Sequence, residues 1–160
     1  MPDDLRRKVL EVYAAADAAV AAANPRCDAS GRCCRFTEYG HTLFLSHYEA
    51  EILLESAPRF EQPASRDGCP FQINGLCTAR ESRPLGCRIY FCDPSFADRM
   101  VEITEASIAR LKAIADEHGG EWLYAPLHHF LNSHHFDSRP NEPPPDSMTP
   151  PDSRRPLPLV

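Results

Sequence analysis

The residues of this chain best suited to chemistry are its seven cysteines, which fall in two groups. Cys27, Cys33 and Cys34 sit in CDASGRCC. Cys69, Cys77, Cys87 and Cys92 lie within the 24 residues CPFQINGLCTARESRPLGCRIYFC. Crowding of this kind has three chemical explanations: disulfides, a bound metal or cluster, and thiol catalysis. The odd count weakens disulfides, and at 160 residues the chain can bury a core without covalent staples. Thiolates are soft ligands: a tetrahedral set suits zinc, and a similar set holds an iron–sulfur cluster. Binding of zinc or an iron–sulfur cluster through Cys27, Cys33, Cys34, Cys69, Cys77, Cys87 and Cys92 is therefore the expectation, at one site or two.

The spacing leaves the ion open. Cys87 and Cys92 are separated by four residues and Cys69 and Cys77 by seven, so the common zinc-ribbon, ferredoxin and CxxxCxxC runs are absent. The adjacent pair Cys33-Cys34 is informative, because neighbouring side chains of an extended segment point to opposite faces. The two thiols are expected to serve different sites, or one to bind while the other packs. Arg32, Arg35 and Arg88 place positive charge beside cysteines. That would lower a catalytic thiol's pKa, but it would equally stabilise a thiolate cluster, so it does not decide between them.

Other titratable residues add less. His41 and His47 follow the first cysteine group and could complete a site, though surface or core roles are commoner for such histidines. In HHFLNSHH, His128 and His135 would share a helix face two turns apart, about 10 Å, too far to grip one ion. Asp93, Asp98 and Glu102 read as solvent-facing charges. No GxGxxG or GxxxxGK[ST] loop is present to cradle phosphate.

The elements that must position the cysteines follow from periodicity. Leu5, Val9, Val12, Tyr13, Ala16 and Val20 recur at helical spacing, which predicts a helix to about Ala23, capped by Asp3 or Asp4 and stopped by Asn24-Pro25. Phe36–Leu45 reads as one or two extended segments bent at Gly40. Ser46-His47-Tyr48-Glu49 is a capping box opening a helix to about Ser56, with Ala50, Leu53, Leu54 and Ala57 expected inside. Residues 59–68 read as a polar connection. Asn74-Gly75 predicts a small hairpin with Cys69 and Cys77 near one another on its arms, and Arg83–Gly86 a turn before Cys87. A second long helix is expected from about Ser95 to His118, with an apolar stripe at Ile103, Ser107/Ile108, Leu111 and Ile114/Ala115 and a stop at Gly119-Gly120. The apolar set from Trp122 to Leu131 suggests a short docking helix after Pro126. From Asp137 onward eight of the last 24 residues are proline, the composition of a disordered or polyproline tail.

Together these predict an α+β, mostly α, small irregular single domain over 1–136, its helices packed around cysteine-bearing loops and short strands, followed by the tail at 137–160. The formal charge of −6 argues against a general nucleic-acid binder. No window approaches a membrane span, and the N-terminal stretch alternates charged and apolar residues unlike a signal peptide. A cytoplasmic protein is expected, with a protein partner for the proline-rich arm as one possibility.

The joint pattern CDASGRCC, CPFQINGLC and RPLGCRIYFC, with HTLFLSHYEAEIL and WLYAP, resembles the bacterial CxxCxxCC cysteine-cluster family (YkgJ-like), described as zinc- or iron-chelating proteins. The resemblance covers about residues 27–125. Ser30 stands where the family has a cysteine, so its eight cysteines become seven here; the ligand is lost, replaced, or unused. The resemblance implies a metal or iron–sulfur centre. Some relatives carry the name of flagellin lysine N-methylases, which implies a metal-dependent protein-modifying enzyme using S-adenosylmethionine as an alternative. A third reading is an interaction module with a structural zinc. Enzymatic activity is left open by the residues themselves.

Overall fold

The computed structural model describes residues 1–28 and 30–134. In chain order its elements are α1 (Asp3–Ala23), α2 (Phe36–Tyr39), β1 (Phe44–Ser46), α3 (His47–Ser56), β2 (Gln72–Ile73), β3 (Leu76–Cys77), α4 (Leu85–Ile89), α5 (Ala97–Glu117), β4 (Tyr124–Pro126) and α6 (Leu127–Ser133), with 3-10 turns at Arg32–Cys34 and Pro94–Phe96. This is the α+β, mostly α architecture expected. The expected domain boundary at 136, the tail at 137–160 and His135 lie outside the described residues.

The two long helices form one half. The buried residues of α1 are the six apolar positions of the periodic stripe, and those of α5 are Ile103, Ser107, Leu111 and Ala115. The α1 set joins Ile103, Leu111 and Ala115 of α5 in one core, together with Leu85 and Ile89 of α4 and Tyr48 and Ile52 of α3. Val9, Val12 and Leu111 have no exposed surface, and each such side chain contributes about 1.5–3 kcal/mol on burial. Asn24 closes α1 in the left-handed region. Gly119 (φ 64°) follows α5, and the Gly120 N–H then bonds the Ala115 carbonyl. Neither Asp3 nor Asp4 caps α1. Pro2 occupies the cap position, and Asp4 instead pairs with Arg7 and Lys8 on its own helix.

The other half is built from short pieces. β1 and β4 pair antiparallel with Leu45 opposite Ala125, and β2 and β3 form the hairpin that Asn74-Gly75 predicts, with Gln72 opposite Cys77. Asn74 (φ 51°) and Gly75 (φ 80°) supply the positive φ angles that a two-residue hairpin turn needs. Two expectations are corrected. Phe36–Tyr39 is a helical turn, not a strand, because buried Phe36 anchors it and Arg35 bonds Glu38 three residues on; Gly40 (φ 65°) ends it. Leu85–Ile89 is likewise a short helix, so Cys87 sits on a regular element and not just past a turn. The strand β4 has no counterpart in the periodicity reading; it forms because β1 offers it a partner.

Helix α3 joins the halves. Tyr48 and Ile52 face the helical core, while Ala50 and Leu53 face a second core with Phe36, Leu45, Phe71, Phe130 and Leu131. Leu54 and Ala57, expected inside, pack only partly buried against that second core. The capping box at Ser46 and Glu49 is formed in full. Glu49 is also almost wholly buried, and its other oxygen accepts from the Leu85 N–H at 2.8 Å, tying α3 to the start of α4.

Candidate metal centre

The cysteines arrive from three segments. The 3-10 turn Arg32–Cys34 carries two of them, the hairpin region carries Cys69 and Cys77, and α4 carries Cys87. Cys33, Cys34, Cys69, Cys77 and Cys87 line one small cavity of about 30 Å³, walled otherwise by Leu43, Leu53, Phe71, Leu127 and neighbouring groups of the second core. All seven cysteines are free thiols.

The backbone locks these segments together. The Cys69 N–H bonds the Cys34 carbonyl at 2.8 Å. The Gln72 amide donates to the Gly31 carbonyl at 2.9 Å. Glycine is needed at Gly31, where φ is 68° and a Cβ would meet the Gln72 amide at 2.2 Å, and a Cβ on Gly68 would meet the Cys34 carbonyl at 2.9 Å. Arg88 fastens the third segment. Its guanidinium donates to the carbonyls of Arg83 and Glu81, pairs with Asp17 of α1 at 2.7 Å, and lies over the Tyr13 ring at 4.5 Å.

The sulfurs of Cys33 and Cys34 are 3.8 Å apart. Two sulfurs on one tetrahedral zinc, each about 2.3 Å from the ion, stand about 3.8 Å apart. The pair therefore meets the coordination spacing, and both thiols line the same cavity. The expectation that they serve different sites, or that one binds while the other packs, rested on the alternation of a strand. That argument assumed extended backbone, whereas a 3-10 turn does not alternate its side chains. Among the described residues, no group of three or more His, Cys, Asp or Glu side chains is already gathered to hold an ion. The remaining thiols would have to be drawn inward as they lose their protons on binding.

The electrostatics keep three of these thiols neutral. The contact with Cys34, then burial and the charge of Cys34, push the Cys33 thiol well above the usual range. For Cys34 the contact from Cys33 acts downward, but the bond to Cys69, burial and the neighbouring thiols outweigh it and push it up to about 12. Burial, then Cys34, Cys33 and Cys77, push Cys87 upward too. Several thiolates cannot share one small space unless positive charge joins them. Arg83 lines the cavity and acts in that direction on Cys33 and Cys87.

Cys27 and Cys92 lie apart. They line an outer cavity of about 300 Å³ with Ser30, Arg32, Arg80, Arg83 and Arg88, where Cys33, Cys34, Cys77 and Cys87 form its inner wall. Ser30 Oγ stands 3.9 Å from Cys92 Sγ, and Cys27 is exposed. Asp93 ties this edge together by accepting from the backbone N–H groups of Arg26 and Ser95. Among the histidines, His41 stacks on Tyr90 and has a buried Nδ1 without a partner; its Nε2 stands 3.5 Å from the Cys33 carbonyl. His47 packs on Tyr48 and lines a different cavity, away from the thiols. Asp98 and Glu102 are exposed, as expected.

Sequence reasoning missed Glu49 as a buried bridge, Arg83 as a group lining the thiol cavity, and the His41–Tyr90 stack. Only Glu49 had a signal, its capping-box position, and that signal speaks of the helix end alone.

No family model, curated protein or solved structure matches the chain.

Proposed function

We propose that this chain binds a soft metal through its cysteines, with Cys33, Cys34, Cys69, Cys77 and Cys87 around the inner ion and the CxxCxxCC cysteine-cluster proteins as its relatives. The supporting observation is the convergence of five thiols from three segments on one small cavity, two of them already at coordination spacing. The cavity that these five thiols share is small, about 30 Å³. That favours a single zinc-like ion there over a cluster. An iron–sulfur cluster fits better in the outer cavity, where Cys27, Cys92 and Ser30 join the shared thiols. Bound metal would supply the positive charge that lets the crowded thiols ionise, and would contribute its binding free energy to the fold.

No helix among the described residues is long and apolar enough to cross a membrane. Seven free thiols fit the reducing conditions of a cytoplasm, and the net charge of −6 favours a protein partner over nucleic acid. The test is an absorption spectrum with metal analysis on protein purified without oxygen and without a His tag. A colourless protein with about one zinc per chain supports the inner site. Brown protein with matching iron and sulfide moves the centre to the outer cavity. Protein with neither, and unable to take up either, overturns the reading.

A further inference from the structure

A further cavity, of about 430 Å³, shares Cys33, Cys87 and Tyr90 with the arginine-rich opening. Its volume falls in the range of small-ligand sites, roughly 300–1,000 Å³. Two stacked ring pairs contribute to its walls: His41 with Tyr90, 5.1 Å apart, and Phe44 with Tyr124, 5.9 Å apart. Phe44 and Tyr124 are 43% and 38% exposed, so both rings have surface open to an occupant. Helix α5 closes the third side with Val101 and Glu105. Glu105 is the one Asp, Glu, Lys or Arg in this lining. It is exposed and makes no ion pair among the described residues.

We infer that this cleft binds a primary alkylammonium group, presented by a free amine or by a lysine side chain. Ring faces attract cations, an unpaired carboxylate adds the matching charge, and the apolar walls accept the methylene chain. An anionic ligand would meet Glu105 with nothing to offset it. A neutral apolar ligand would leave Glu105 unused. The occupant would lie against Cys33 and Cys87, which the cleft shares with the proposed ion, whereas Phe44, Tyr124 and Glu105 belong to the cleft and not to the thiol cavities.

The chain's single tryptophan reports on the site, because Trp122 stacks on Tyr124 at 5.9 Å and 8°. The full chain is titrated with n-butylammonium and, separately, with N-acetyl-lysine N-methylamide, following Trp122 fluorescence and heat. Saturable binding is expected, with no saturable signal from neutral n-pentanol. Glu105→Gln should weaken it about tenfold. The melting temperature of that variant should not move, because Glu105 is exposed and unpaired. Tighter binding of the free amine assigns the cleft to a small molecule; tighter binding of the blocked lysine assigns it to a protein side chain. Flat titrations with both amines, equal binding of n-pentanol, or undiminished affinity in Glu105→Gln would overturn the inference.

Discussion

The half built on α1 and α5 and the half that carries the cysteines solve the same problem by different means. The helical half buries long periodic stripes against each other, and its core needs only apolar side chains. The cysteine half has strands of two or three residues and helices of four to ten. Short elements make few hydrogen bonds of their own and rarely persist unaided. Its thiols Cys69, Cys77 and Cys87 pack at the edge of its core, whereas the core of the first half includes no cysteine. The contrast teaches where an ion would matter: a bound metal would substitute for the regular structure that the cysteine half lacks.

The sharpest way to break this comparison is to remove the proposed metal. With a strong chelator, amide exchange protection should collapse across the hairpin and α4 while α1 and α5 keep theirs; small zinc domains draw about 10–16 kcal/mol from their ion. Equal protection in both halves, before and after, would mean the cysteine half stands without it. The converse perturbation is Leu111→Ala, at a position with no exposed surface. It should cost about 2–5 kcal/mol by denaturant unfolding yet leave metal content unchanged. Loss of metal in that variant would show that the halves are not separable.

Glu49 tests the joint between them. Replacing it with Gln removes an acceptor from Ser46 or Leu85 inside the protein and should cost about 1–3 kcal/mol at neutral pH. Burial holds its carboxyl above the ordinary range. The folded state therefore binds this proton more tightly than the unfolded chain. That contribution to stability is fully present below the usual glutamate pKa and is lost as pH rises through the raised value. Wild type should lose stability over that window and Glu49→Gln should not; parallel pH profiles would remove Glu49 as the cause. The smallest effect belongs to Cys27→Ser. Cys27 is exposed at the outer edge, so its loss should change stability by less than about 0.5 kcal/mol and spare the inner ion, whereas Cys34→Ser should strip it. Metal analysis of the two variants side by side checks the division into inner and outer thiols.

Much of the frame was legible in the residues alone. The stripe of α1, the register of α5, the Ser46–Glu49 capping box and the Asn74-Gly75 hairpin are local effects: side-chain periodicity, a cap and a turn act within a few residues, so one stretch of chain suffices to specify them. The cysteines themselves also declared which atoms could do chemistry. What only the tertiary structure decided is which of them meet. Cys33 and Cys34 share a cavity because a 3-10 turn, not a strand, carries them, and Cys87 joins them because Arg88 and Glu49 pin α4 against α1 and α3. The strand β4, the wall that Tyr124 gives to the aromatic cleft, and the burial of Glu49 likewise depend on partners 36 to 82 positions away (Leu85 for Glu49, Phe44 for Pro126). Such contacts are set by the packing of the whole chain, and no local pattern of residue types encodes them.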